Sequence, residues 1–197
     1  MKLLLASRSA ARRRMLGAAG VPFEVVDSGA DEEAEKGRPR NEGAGAAALA
    51  DALAELKARA VAADRNALVL GCDQTLERTD GGSFDKPRSR EEAKRQLQAL
   101  SGATHQLHSA AVIVEAGAPV WRQIESVTLH MRPLSDAFLE TYLDAEYKAI
   151  RHGVGGYRIE GLGAQLFDRI EGSHFAILGL PLLPLLAYLR ERGLLAS

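Results

Sequence analysis

Two short stretches place polar side chains where an apolar run ends. The first is Ser7-Arg8-Ser9, which follows Lys2 to Ala6 and leads into Arg12 and Arg13. Helix N-terminal amides, hydroxyls and guanidinium groups all favour a bound phosphate, so this turn is a candidate phosphate cradle. The same residues would equally make a capped surface helix with a basic face. The second stretch is Gly71-Cys72-Asp73-Gln74, a carboxylate and an amide closing a buried apolar segment. Ligands of open α/β sheets collect at the carboxyl ends of strands. Asp73 there can hold a metal or take a proton from water, or it can simply cap a turn. Cys72 reads as a packed small residue, since nothing near it in sequence would lower its pKa.

Other polar residues are weaker signals by themselves. Lys57 and Lys86 are single lysines, and a single lysine is usually solvated. Glu32 and Glu33 sit in the acidic run Asp31-Glu32-Glu33-Ala34-Glu35, which by default is a solvated loop. Triphosphate chemistry would nevertheless need carboxylates of this kind, because magnesium prefers oxygen ligands and shares itself with phosphate. His105 and His108 are not spaced like a helical zinc pair, and the chain has no second cysteine to complete a structural zinc site. GxxxxGK[ST], GxSxG and a GxGxxG after the first strand are all missing, which removes motif support for the common kinase, esterase and dinucleotide readings.

The elements that must position these residues follow from composition and pattern. With 197 residues, 46% of them hydrophobic, the chain can bury a real core as one domain or as two lobes, and its one cysteine excludes an internal disulfide. The formal charge of -1 argues against a general nucleic-acid binder. Arginines 8, 12, 13 and 14 are the densest basic cluster, suited to a small anionic ligand. The opening MKLLLASRSAARRRML lacks the long apolar stretch of a signal peptide and is read as mature protein, with a cytoplasmic location expected. No segment reaches the roughly 18 uninterrupted apolar residues of a membrane span. Phe175 to Leu189 comes nearest, but its glycine, prolines and tyrosine suit a buried element.

Lys2 to Ala6 is expected as a strand, Ala10 to Leu16 as a helix and Phe23 to Val26 as a second strand. Asp27 to Asn41 reads as a loop and Ala44 to Ala63 as a long helix. Ala67 to Cys72 predicts a buried strand that continues through Leu76 and returns through Phe84 around the Thr79-Asp80-Gly81-Gly82 turn. Ser89 caps a helix to Leu100. Gln106 to Glu115 and Val120 to Met131 predict an antiparallel pair around a Gly117-Ala118-Pro119 turn, with Trp121, Gln123, Glu125, Val127, Leu129 and Met131 on one face. Ser135 caps a helix toward Ala145, Gly153 to Gly163 is glycine-rich, and Leu182 to Arg192 closes the chain as a helix. Strands alternating with helices and then a hairpin predict an α/β fold with a mixed, twisted sheet flanked by helices.

Taken together, LLLASRSAARRRML, Asp31-Glu32, Leu56-Lys57-Ala58, Gly71-Cys72-Asp73-Gln74, Lys86-Pro87 and Gly179-Leu180-Pro181-Leu182 resemble the Maf-like nucleoside triphosphate pyrophosphatases along nearly the whole chain. The resemblance implies a single two-lobed domain over residues 1–197, of Maf/ITPase-like fold with a cleft. It implies that Asp73 is the proton acceptor, with Ser7, Ser9, Arg12 and Arg13 as the phosphate-binding turn and Glu32, Lys57 and Lys86 as further polar active-site positions. It implies a divalent cation, magnesium or manganese, held by Glu32 and Asp73. The substrate partner it implies is a nucleoside triphosphate, with no stable nucleic-acid or membrane partner; members are often homodimers. Gln74 and Glu160 resemble the branch that prefers N7-methylated GTP, while Ala11 departs both from the tryptophan of that branch and from the arginine of the dTTP and UTP branch. The expected reaction is hydrolysis of the α-β phosphoanhydride to a monophosphate and pyrophosphate. The competing expectation is a regulator of cell division that binds nucleotide or nucleic acid through the arginine cluster without turnover.

Overall fold

Strand β1 (Lys2–Ala6) is paired on both edges, in parallel with β2 (Glu24–Val25) and in parallel with β3 (Ala67–Arg78). Parallel neighbours require crossovers. Helix α1 (Ala10–Ala18) makes one between β1 and β2, while α2 (Glu32–Lys36) and α3 (Ala46–Ala60) lie between β2 and β3. The computed structural model describes residues 1–37 and 45–196. Asn41 and Ala44, the expected end of the loop and start of the long helix, lie outside the described residues. Within the expected loop there is a short helix, α2, because Asp31 Oδ1 accepts the Ala34 amide at 3.0 Å and Glu32, Glu33 and Glu35 favour the positive end of the turn.

Beyond β3 the chain turns back as β4 (Ser83–Phe84), antiparallel to β3 with Leu76 opposite Phe84, as the Asp80-Gly81-Gly82 signal predicts. Helix α4 (Arg90–Leu100) follows, then β5 (Thr104–Glu115) and β6 (Ala118–Met131). The expected Gly117-Ala118-Pro119 turn is instead Ala116-Gly117, with φ of 49° and 81°, and Ala118 and Pro119 begin β6. Positive φ at both central residues matches the twist of a two-residue hairpin. Along β6 the alternation from Trp121 to Met131 holds, those residues being the less exposed ones. Helix α5 (Asp136–Ile150) runs about a turn past the expected end. Two 3-10 turns, Val154–Gly156 and Leu162–Leu166, occupy the glycine-rich stretch. Strand β7 (Phe167–Glu171), which no sequence pattern announced, pairs antiparallel with β6. Its three charged residues mask any alternation, and β6 supplies the pairing that propensity does not. Helices α6 (His174–Ile177) and α7 (Leu182–Glu191) complete the chain. The strand order is β2-β1-β3-β5-β6-β7, with β4 paired to β3. No helix among the described residues is long and apolar enough to cross a membrane.

The chain divides into two compact units. The first comprises Met1–Gln74, Ser109–Glu125 and His174–Ser197. Its strands β1, β3 and β5 are buried on both faces: Leu3, Leu5, Leu68, Leu70 and Ile113 pack with Leu16, Leu185 and Leu189, whereas Leu4, Val69, Ala110 and Val112 pack with Ala50, Ala54 and Ala58 of α3. This double burial explains the continuous apolar runs, which carry no polar alternation. The second unit comprises Thr75–His108 and Ser126–Ser173. There α4 and α5 pack side by side. Leu97, Leu100, Leu107, Leu129, Leu139 and Leu143 of this unit are buried.

Candidate active site

The alanines on α3 set the depth of the site. Ala50, Ala54 and Ala58 recur every fourth residue, giving the helix a smooth face, and β3 answers with Gly71. A Cβ on Gly71 would lie 2.0 Å from the Ala54 carbonyl oxygen and 2.8 Å from the Ala58 amide nitrogen. Only glycine allows helix and strand this close. The approach brings Lys57, one residue before Ala58, to Asp73, two residues after Gly71.

Lys57 Nζ donates to Asp73 Oδ1 and forms an ion pair with Glu32 Oε2 at 3.1 Å. The side chains of Lys57 and Asp73 are 9% and 12% exposed, that of Glu32 35%. One ammonium therefore serves two carboxylates from different elements, β3 and α2. Both are hard oxygen donors aimed at one place, the kind of pair that holds magnesium together with substrate phosphate. Among the described residues no group of three or more His, Cys, Asp or Glu is placed to hold a metal ion. A cation here would rely on Glu32, Asp73 and oxygens brought by the substrate.

The basic turn meets this group through Arg12. Ser9 caps α1, its Oγ accepting the Arg12 amide, and Ser7 Oγ accepts the Ser9 amide at 3.3 Å. The buried Arg12 guanidinium donates through Nη1 to Ser7 Oγ at 3.2 Å and to the Cys72 carbonyl at 3.0 Å, and through Nε to the Gly179 carbonyl at 2.7 Å. The two stretches singled out in the sequence are thus tied together at the peptide preceding Asp73. Arg13 is exposed on α1. Gln74 is half-buried, and its Nε2 donates to Ser109 Oγ at 2.9 Å and to the Ala176 and Ile177 carbonyls at 2.9 and 3.0 Å. Cys72 is fully buried and its thiol is pushed up to about 11 by burial, so it is a core residue and no nucleophile.

Ser7, Ser9, Arg12, Arg13, Glu32, Lys57, Asp73 and Gln74 all belong to the first unit, and Lys86 and Glu160 to the second. Lys86 and Glu160 are both exposed, Lys86 just after β4 and Glu160 just before the second 3-10 turn. Among the described residues neither His105 nor His108 belongs to a metal-like cluster: His105 Nε2 pairs with Tyr157 Oη at 2.7 Å, and His108 lies between Ser126 Oγ and Glu77 Oε2 at 2.8 and 3.0 Å. Ser109 and the Gly179 carbonyl also belong to this group of polar contacts, with little in the sequence to mark them. Ser109 sits inside an apolar strand with no marker, while Gly179 was visible only as part of Gly179-Leu180-Pro181-Leu182.

Curated relatives cover almost the whole chain. A nucleoside triphosphate pyrophosphatase of Caulobacter vibrioides is 48% identical over 97% of this chain and 96% of its own. Nucleoside triphosphate pyrophosphatase 1 of Jannaschia sp. is 50% identical over 99% of this chain and 98% of its own, and the enzyme of Hyphomonas neptunium is 49% identical over 100% and 99%. Among solved structures, a HAM1 protein from Coxiella burnetii aligns at 15% identity over 66% of this chain and 73% of its own with a TM-score of 0.42, too partial a likeness to add to the fold. The family model described as Maf-like protein matches residues 2–192, and the chain belongs to that family.

Proposed function

We propose that this chain hydrolyses the α-β phosphoanhydride of a nucleoside triphosphate, with a 7-methyl-GTP-like base preferred. The observation that carries the reading is the Lys57 ammonium held between Asp73 and Glu32, with the Ser7-Arg12 turn bonded to the adjoining Cys72 carbonyl. The printed names of the relatives support the reaction class. Gln74 and Glu160 support the choice of base only through the likeness to the methylated-GTP branch.

In this reading Asp73 takes the proton of a water whose oxygen attacks the α-phosphorus. The bond from α-phosphorus to the bridging oxygen breaks, and pyrophosphate leaves. Lys57 holds Asp73 through Oδ1, so Oδ2 is the oxygen proposed to receive the proton. The Ser7-Ser9 turn, the α1 amides and Arg13 bind the phosphates. A magnesium or manganese ion held by Glu32 and Asp73 would offset charge on the phosphate oxygens when bound.

The test is pyrophosphate release from 7-methyl-GTP, GTP, dTTP, UTP and CTP with magnesium or manganese, wild type beside Asp73→Asn. Release fastest from 7-methyl-GTP and reduced at least a hundredfold in the folded variant is expected. Equal rates on all bases would remove the base assignment, and a fully active Asp73→Asn would remove Asp73 from the chemistry. Binding of nucleotide with no pyrophosphate release under any condition would turn the reading to a regulator.

A further inference from the structure

Gln74 follows the proposed proton acceptor, yet its amide donors are turned inward. Three acceptors share its Nε2: Ser109 Oγ, the Ala176 carbonyl and the Ile177 carbonyl. Ser109 is completely buried and donates its own hydroxyl proton to the Ala176 carbonyl at 2.6 Å. That carbonyl also receives the Gly179 amide at 3.0 Å. The short turn from α6 to Gly179 is therefore fastened by side chains of β3 and β5 at one end. At the other end its Gly179 carbonyl accepts Arg12 Nε.

Gly179 has φ of +94°, and a Cβ there would lie 3.2 Å from both Arg12 Nε and Nη2. The turn and the guanidinium fit only with glycine between them. Arg12 in turn bonds Ser7 Oγ and the Cys72 carbonyl, so its orientation depends on where the Gly179 carbonyl is held.

We infer that Ser109 is a positioning residue for the substrate-binding turn: with Gln74 it fixes the Ala176–Gly179 backbone, whose Gly179 carbonyl orients the Arg12 guanidinium beside Ser7. Gln74 then influences substrate choice by setting this turn, without reading the base through its amide nitrogen. The inference rests on the proposed reaction for its kinetic consequence but not for its structural one. The hydrogen bonds from Gln74 and Ser109 through Gly179 and Arg12 to Ser7 all join residues of the first unit.

The experiment is a double-mutant cycle of Ser109→Ala and Gln74→Ala read in two independent ways. Hydrogen exchange over the peptide spanning 174–181 should quicken in each single variant, and the double variant should be no faster than the quicker single one, since either change releases the same fastening. With the nucleotide that wild type turns over best, each variant should raise KM by about three- to tenfold with kcat within about twofold, as expected when neutral hydrogen bonds that position the turn, and no group at the reacting atoms, are lost. Ser109→Thr, which keeps the hydroxyl, should restore both. Additive effects in exchange, or a fall in kcat at unchanged KM, would overturn the inference. Coupled exchange in a chain that releases no pyrophosphate would uphold the positioning network and sink the proposed reaction.

Discussion

Lys57 and Asp73, 16 residues apart, form a buried ion pair that joins α3 to β3 at the place where Glu32 reaches the same ammonium. Breaking such a pair from one side leaves an uncompensated charge away from water, which costs more than removing both partners. Lys57→Met is therefore expected to destabilise the protein by about 3–5 kcal/mol, measured by urea unfolding. The double variant Lys57→Met with Asp73→Asn should recover part of that loss. Equal stability of the single and double variants would show that the pair is not desolvated as described.

Gly71 controls the same juxtaposition from the backbone. Gly71→Ala would thrust a methyl group to 2.0 Å from the Ala54 carbonyl, a backbone atom that cannot swing aside. Helix α3 must then shift, carrying Lys57 from Asp73. Loss of several kcal/mol of stability, about 3 or more, and of nucleotide turnover in any folded fraction is expected. A variant with wild-type unfolding midpoint would contradict the close approach.

His105 gives the second unit a pH dependence of known sign. Burial, and to a lesser degree the charge of His130, lowers its pKa from 6.5 to about 4. The folded protein thus keeps the ring neutral where the unfolded chain takes up a proton. Its contribution is unpenalised above about 6.5, and stability falls as pH drops from there to about 4. Urea unfolding at several pH values should show a slope of up to about 1.4 kcal/mol per pH unit from this group, absent in His105→Phe. Parallel profiles for the two proteins would mean that His105 titrates normally when folded.

Cys72 offers a probe of opening. It is the chain's one cysteine, fully buried, with its thiol pushed up to about 11 by burial. Iodoacetamide at pH 8 should leave the native protein unlabelled and fully active over a time in which urea-unfolded protein reacts completely. Rapid native labelling would place the thiol at an accessible surface, against the packing around β3.

Much of the site was legible because its chemistry sits at strand ends. Runs such as Leu3-Leu4-Leu5 and Leu68-Val69-Leu70 have no polar alternation, which marks strands buried on both faces, and the first polar residues after them fall where ligands gather. Caps were equally local: Ser9, Ser89 and Ser135 each accept the amide three residues on, so the starts of α1, α4 and α5 follow from one side chain. Strand β7 was not legible, because its pairing comes from β6 and not from its own residues.

What the sequence determined by itself was the set of reactive groups and the local elements carrying them, since propensity, capping and burial pattern act over a few residues. What only the tertiary structure decided was which groups share a partner. Arg12, a member of the expected phosphate-binding turn, is bonded through Nε and Nη1 to Gly179, Ser7 and Cys72, and Gln74, which resembles the methylated-GTP branch, is bonded through Nε2 to Ser109 and the Ala176 and Ile177 carbonyls. These bonds span up to 167 residues of sequence, and their partners are mostly backbone carbonyls, which look alike at every position until the fold buries some of them and demands a donor.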